Sequence, residues 1–156
     1  MSKRHKLKSL TSIPCSTGPV LQVEQSIRSE IAAISPFVDK LMLFIRRFRC
    51  VPGSEMEVEG SLREALANAV VHGNHEDAHK HVYVGCRCIP NEEVSIVVRD
   101  EGQGFDKSAV PDPTAPGRLE FSHGRGIYLM NTLMDEVRFE RSGAVVYMRK
   151  SATRAR

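Results

Sequence analysis

Residues 94–105 read Val-Ser-Ile-Val-Val-Arg-Asp-Glu-Gly-Gln-Gly-Phe, and the alternation in this stretch decides the fold. Val94, Ile96 and Val98 recur at period two against Ser95 and Arg99, the pattern of a half-buried strand. Just upstream, Val82, Val84, Cys86 and Cys88 alternate in the same way with Tyr83, Gly85 and Arg87. Pro90-Asn91-Glu92-Glu93 between them has turn chemistry, so the two runs predict an antiparallel hairpin. Asp100 falls in phase with Val94, Ile96 and Val98, which points its carboxyl toward the covered face. A carboxylate there is costly unless something hydrogen-bonds it. Gly102 and Gly104 follow at once and let backbone come close to a flat ligand. An inward acid followed by an open glycine turn can accept a hydrogen bond from a base amino group. Taken alone, the hexapeptide Asp100–Phe105 reads more plainly as an Asp-Gly loop bonded to its own amides.

Moving outward, the period changes. Ser35-Pro36 predicts a helix start, with Ser as N-cap and Pro at the first helical position. Phe37, Leu41, Phe44 and Phe48 then make an apolar helical stripe that Val51-Pro52-Gly53 ends. Ser54 and Glu57 fit a capping box. The second helix carries Val58, Leu62, Ala65, Leu66 and Ala69 on one face and ends near His72-Gly73-Asn74. Before both helices, Val20–Ile27 alternates weakly as a first strand. After the hairpin, a long Gly/Pro-bearing loop leads to a third helix from Gly126 to about Met134. Val137 and Phe139 mark a strand, Ser142-Gly143 a tight turn and Ala144–Met148 the last strand. Helices on one face of a mostly antiparallel mixed sheet make a two-layer α+β sandwich.

Composition bounds the rest. A chain of 156 residues, 41% apolar and 26% charged, has room for one domain with one core and is not disordered as a whole. Its longest apolar runs, Leu41–Ile45 and Ala144–Met148, are five residues each, too short to cross a bilayer. The basic N-terminus lacks the apolar stretch of a secretory signal, so the cytoplasm is expected. Of 22 basic residues, Lys3, Arg4, Lys6 and Lys8 lie in the first eight positions and Arg149, Lys150, Arg154 and Arg156 in the last eight. That leaves 14 basic against 19 acidic residues in the body. Basic groups at the ends read as solvated tails, not as the folded basic face of a nucleic-acid reader. The chain therefore divides into a basic flexible tail over 1–18, a folded domain over 19–150 and a basic tail over 151–156. Four cysteines without a secretory signal predict free thiols, with Cys86 and Cys88 buried as small hydrophobes.

Two further stretches carry chemistry. Gly124-Arg125-Gly126, at the start of the third helix, offers backbone N–H groups and a positive dipole end to an anion, and Arg125 adds charge. Alone, it is a glycine-rich helix start. Glu64-Ala-Leu-Ala-Asn68 places two polar groups on neighbouring parts of one helix surface. A neutral oxygen such as that of Asn68 suits Mg²⁺, which takes few protein ligands, and a nearby Glu can act as general base. Alone, these are common residues of a helix rim.

Together and in this order the stretches resemble a known family. Glu64-Ala-Leu-Ala-Asn68-Ala-Val-Val-His72-Gly73-Asn74 resembles the N-box of the GHKL (histidine-kinase-like) ATPases. Asp100–Phe105 resembles their first glycine box, and His123–Met130 the second. The His-Gly-Asn ending, short lid and Gly-Arg-Gly-Ile segment are most similar to the anti-sigma-factor serine/threonine protein kinases. The resemblance spans about residues 20–150 and implies the Bergerat-type ATP-binding fold. It implies ATP and Mg²⁺, with Glu64 as base and Asn68 as the metal ligand. Asp100 would meet the adenine amino group, with Gly102 and Gly104 shaping that pocket. Gly124, Arg125 and Gly126 would face the phosphates under a lid of about residues 106–123. The implied partners are a sigma factor and an antagonist protein with a phosphorylatable serine; a homodimer is compatible, while nucleic acid and membrane are not expected. One departure stands out. The family often has Thr after the glycine of the last hairpin, and Gly143-Ala144-Val145 has no hydroxyl there.

Two other readings compete. The first keeps fold and ATP but drops catalysis, leaving an ATP-gated protein-binding module. The second is a zinc module built from His72, His75, His79, His81, Cys86 and Cys88, whose Cys-x-Cys spacing is too tight for the usual knuckle.

Overall fold

The computed structural model describes residues 18–103 and 122–153. The elements are β1 (Leu21–Arg28), α1 (Ile31–Arg47), α2 (Glu55–Asn68), β2 (His81–Ile89), β3 (Glu93–Arg99), α3 (Ser122–Leu133), β4 (Glu136–Glu140) and β5 (Val145–Ser151). The strands form one sheet in the order β1-β2-β3-β5-β4, and all four pairings are antiparallel. Register aligns Val23, Cys86, Ile96, Met148 and Val137 in one row across the sheet. The next row is Gln25, Val84, Val98, Val146 and Phe139. Helices cover this face, with α2 touching both α1 and α3. Val58, Leu62, Ala65, Leu66 and Ala69 all face the core, as the helical period predicts. On the opposite face Glu24, Gly85, Val97 and Tyr147 share a row, and no described helix packs there. The result is the two-layer α+β sandwich.

Several local expectations need correction. α1 begins at Ile31, not at Ser35, and Pro36 lies inside it. Its buried face is Ile34, Phe37, Val38, Leu41, Met42 and Ile45. Phe37 and Leu41 of the expected stripe lie in this face and Phe44 packs partly against the core. Phe48 lies past the helix end and is 38% exposed, its ring 4.9 Å from that of Phe44. Ser54 precedes α2 but makes no capping bond. Its hydroxyl instead meets Thr153 Oγ1 at 2.8 Å, while Glu55 accepts the Gly53 N–H at 2.9 Å. α3 begins at Ser122, so Gly126 lies inside the helix and not at its start. Arg149 and Lys150 belong to β5, not to a solvated tail. Arg149 pairs with Glu136 at 3.2 Å and Glu93 at 3.5 Å. Lys150 donates to the Leu133 carbonyl at 2.7 Å, a cation at the negative end of α3.

The free-thiol expectation fails for two of the cysteines. Cys50, just beyond α1, is disulfide-bonded to Cys88 of β2, and both are fully buried. The bond ties the end of α1 to the far end of the β2–β3 hairpin. The Arg49 carbonyl accepts the Asn91 N–H at 2.7 Å, and Arg49 Nε donates to Asn91 Oδ1 at 3.1 Å beside it. Cys86 is a free buried thiol, and burial pushes its pKa up to about 12. It is a core hydrophobe and not a nucleophile.

The bond closes a loop between residues 38 apart in sequence. Restricting the unfolded chain in this way is worth about 2–4 kcal/mol. Dithiothreitol is therefore expected to lower the unfolding free energy in urea by that amount. A Cys50→Ala, Cys88→Ala double variant is expected to show no response to the reductant. Equal stability of the wild-type protein with and without reductant contradicts the tie.

Candidate functional site

α2 does not stop at Asn68. Ala69–Gly73 continues it as one π-helical turn, closed by the Asn74 N–H donating to the Ala69 carbonyl at 2.8 Å. Such wide turns are rare and cluster at functional sites. Here the turn lays Gly73 directly on Asp100. A Cβ at Gly73 would stand 2.2 Å from Asp100 Oδ2, and a Cβ at Gly102 would stand 2.1 Å from the Gly73 carbonyl oxygen. Neither glycine has a left-handed φ. Both are needed because a side chain has no room, and what stands in the way is the protein's own backbone and carboxyl.

Asp100 points inward as strand parity predicts and is 8% exposed. Its N–H donates to the Ala144 carbonyl at 3.0 Å, which extends the β3–β5 pairing by one step. Asp100 Oδ1 accepts the Gly102 N–H at 2.8 Å. Burial raises the pKa of the carboxyl above the ordinary aspartate value. The Gly102 hydrogen bond and the charges of Lys80 and His75 offset part of that rise. Beside the carboxyl lies a pocket walled by Ala65, Ala69, Val98, Met130, Phe139 and Val146, with Asn68, Gly73 and Gly143 completing the lining. Its polar side chains are Asp100 and Asn68. Apolar side chains beside one buried carboxyl acceptor are the lining chemistry that a heteroaromatic base bearing an amino group needs.

The other end is built by α2 against α3. Gly60 and Gly126 let the helices come close: Cβ atoms added there would stand 3.3 Å from Leu133 Cδ1 and 2.6 Å from Glu64 Oε2. Asn68 Nδ2 is 3.6 Å from the same added atom at Gly126. Glu64, Asn68 and Gly126 thus meet in one place. Arg125 is exposed beside them, and Gly124 lies in the same first part of α3. Gly104 falls outside the described residues, as does the expected lid apart from Ser122 and His123. Among the described residues no three His, Cys, Asp or Glu side chains converge as a metal group would require. Cys88 is taken up by the disulfide, which removes one ligand from the zinc reading.

Sequence reasoning gave Gly73 and Asn74 no task of their own. Asn74 is fully buried. Its Oδ1 accepts the Glu101 N–H at 2.8 Å and its Nδ2 donates to the His81 carbonyl at 3.0 Å. The available signal was an Asn directly after a glycine at a helix end, a position where its side chain can bond loop backbone.

Fold and pocket define a nucleotide-binding α+β domain. The sequence profile of the histidine kinase-like ATPase domain matches residues 27–150, and the chain belongs to that family. The anti-sigma F factor of Oceanobacillus iheyensis is 32% identical over 106 residues, 64% of this chain and 71% of that protein. That of Geobacillus thermodenitrificans is 28% identical over 137 residues, 84% of this chain and 83% of that protein. The serine-protein kinase RsbW of Bacillus subtilis is 37% identical over 97 residues, 58% of this chain and 60% of that protein. No helix among the described residues is long and apolar enough to cross a membrane.

The raised pKa of Asp100 has a consequence for stability. In the unfolded chain the group ionises at its ordinary value, so between that pH and the folded pKa the native state holds the extra proton. Stability is thus lost as pH rises through this window. Asp100→Asn keeps an acceptor for Gly102 and removes the buried charge. Without nucleotide, the variant is expected to be more stable than wild type at neutral pH, with the gap closing as acid protonates Asp100. Urea unfolding across a pH series measures this; a variant less stable at neutral pH contradicts it.

Proposed function

We propose that the protein is an ATP-dependent serine/threonine protein kinase that acts as an anti-sigma regulatory factor. It phosphorylates a serine of a small antagonist protein and binds a sigma factor. The supporting observation is one pocket lined by both Asp100 and Asn68, with Glu64 and Gly126 packed next to Asn68 outside that lining. The donor set fits Mg²⁺-ATP. Ala69, Val98, Met130 and Val146 offer apolar lining, and Asp100 offers the acceptor an adenine amino group needs. Asn68 offers Mg²⁺ a neutral oxygen, enough for an ion that keeps most of its shell from phosphates and water.

Bound Mg²⁺-ATP supplies the phosphoryl group. Asp100 accepts a hydrogen bond from the base, and Gly102 keeps the backbone beside it free of a side chain. Gly126, inside the first part of α3, makes room for Glu64, and the helix dipole and Arg125 favour anions nearby. Glu64 takes the proton from the attacking serine hydroxyl, a task for a carboxylate in hydrogen-bond reach of that oxygen. The sigma factor and the antagonist protein come from the relatives' names and family resemblance. The same reading has the domain over 19–150, a cytoplasmic location, room for a homodimer and no part for nucleic acid.

Two variants separate binding from transfer. Asn68→Ala is expected to impair Mg²⁺-ATP binding and everything that depends on it. Glu64→Ala is expected to bind Mg²⁺-ATP nearly as wild type while transfer to the partner serine falls roughly 10²- to 10⁴-fold. Calorimetry and a labelled-ATP transfer assay read the two effects. Wild-type transfer by Glu64→Ala would contradict the kinase and leave an ATP-gated binding module.

A further inference from the structure

Asn74 sits where three segments meet: the π turn that ends the α2 helix, the first residue of β2, and the loop that follows β3. Its side-chain amide is oriented by its partners. Oδ1 accepts the Glu101 N–H at 2.8 Å, so Nδ2 is the end that donates to the His81 carbonyl at 3.0 Å. The Asn74 main-chain N–H holds the π turn through Ala69. His81 returns the connection, its N–H donating to the Glu101 carboxylate. The closed ring Asn74–His81–Glu101 lies one residue to either side of the packed contact between Gly73, Asp100 and Gly102. A fully buried amide with both ends satisfied fixes geometry strongly, because any displacement leaves a polar group unpaired.

We propose that Asn74 is the positioning residue that locks the adenine end of the pocket to α2, so that Asp100 and Asn68 are held as one rigid body. The proposal rests on the ATP reading above. Asn74 does not line the pocket, so its effect runs through Glu101 and the backbone of Asp100–Gly102. Once the ring is opened, the Asp100–Gly102 loop is free to leave Gly73, and base binding weakens while Glu64, Asn68 and Gly126 stay in place. Asn74→Asp keeps the acceptor for the Glu101 N–H but places a second oxygen against the His81 carbonyl, so it removes half of the ring.

The test uses the full chain, with Mg²⁺-ATP calorimetry and hydrogen exchange of the Glu101 amide in the absence of nucleotide. Asn74→Ala is expected to lose protection at the Glu101 amide and to bind Mg²⁺-ATP about tenfold more weakly, the scale of one lost hydrogen bond. Asn74→Asp is expected to retain Glu101 protection and to bind with an intermediate affinity; it also serves as the readout if Asn74→Ala does not fold. Retained Glu101 protection in Asn74→Ala overturns the ring whatever happens to ATP. Lost protection with unchanged ATP affinity overturns the positioning role. Absence of Mg²⁺-ATP binding in wild type defeats the functional reading and the positioning role with it, and the amide exchange then still reports whether the ring itself exists.

Discussion

The carboxyl of Asp100 is pressed against a backbone that has no side chain to yield. It directly follows a strand whose inward residues, Val94, Ile96 and Val98, are all core. Apolar surroundings oppose its charge, and within the protein the side chain accepts the Gly102 N–H alone among the described residues. Gly73 and Gly102 are glycines because the carboxyl, the π turn and the loop occupy the same few ångströms. A charged group kept in a costly position, with the backbone shaped around it, marks a binding determinant more than a structural one.

The two ends of the molecule are secured by different means. At the far end of the hairpin, the Cys50–Cys88 bond and the Arg49–Asn91 pair hold α1 to the sheet. At the pocket end no covalent tie joins the described residues. The helices meet through Gly60 and Gly126, and the loop after β3 is held by the Asn74 amide. Nucleotide domains need this asymmetry: a stiff sheet carries the acceptor, and adjustable loops and helix starts meet the phosphates.

Much of this was legible in the sequence because it depends on parity and period. Alternation in 82–88 and 94–98 gave the hairpin and the inward direction of Asp100. Helical spacing gave the buried face of α2 and put Glu64 beside Asn68. What stayed hidden depends on tertiary distance. Nothing in the spacing of Cys50 and Cys88 shows that the end of α1 lies over β2. Pro36 looked like a helix start, but the core contacts of Ile34 carry the helix back to Ile31. Ser54 had the right neighbours for a capping box, yet Thr153 from the chain's other end takes its hydroxyl. Gly73 looked like an ordinary helix stop until Asp100 proved to fill the space where its side chain would be.

The central claim is that Asp100 reads the amino group of the base. Inosine triphosphate differs from ATP chiefly in carrying a carbonyl where adenine has that amino group, so it would set an acceptor against a buried carboxylate. Calorimetry of the wild-type protein with the two Mg²⁺-nucleotides tests this directly. Inosine triphosphate is expected to bind at least about tenfold more weakly than ATP, the scale of an unmatched buried polar pair. Equal affinity for the two would show that the base is not read by Asp100 and would contradict the account.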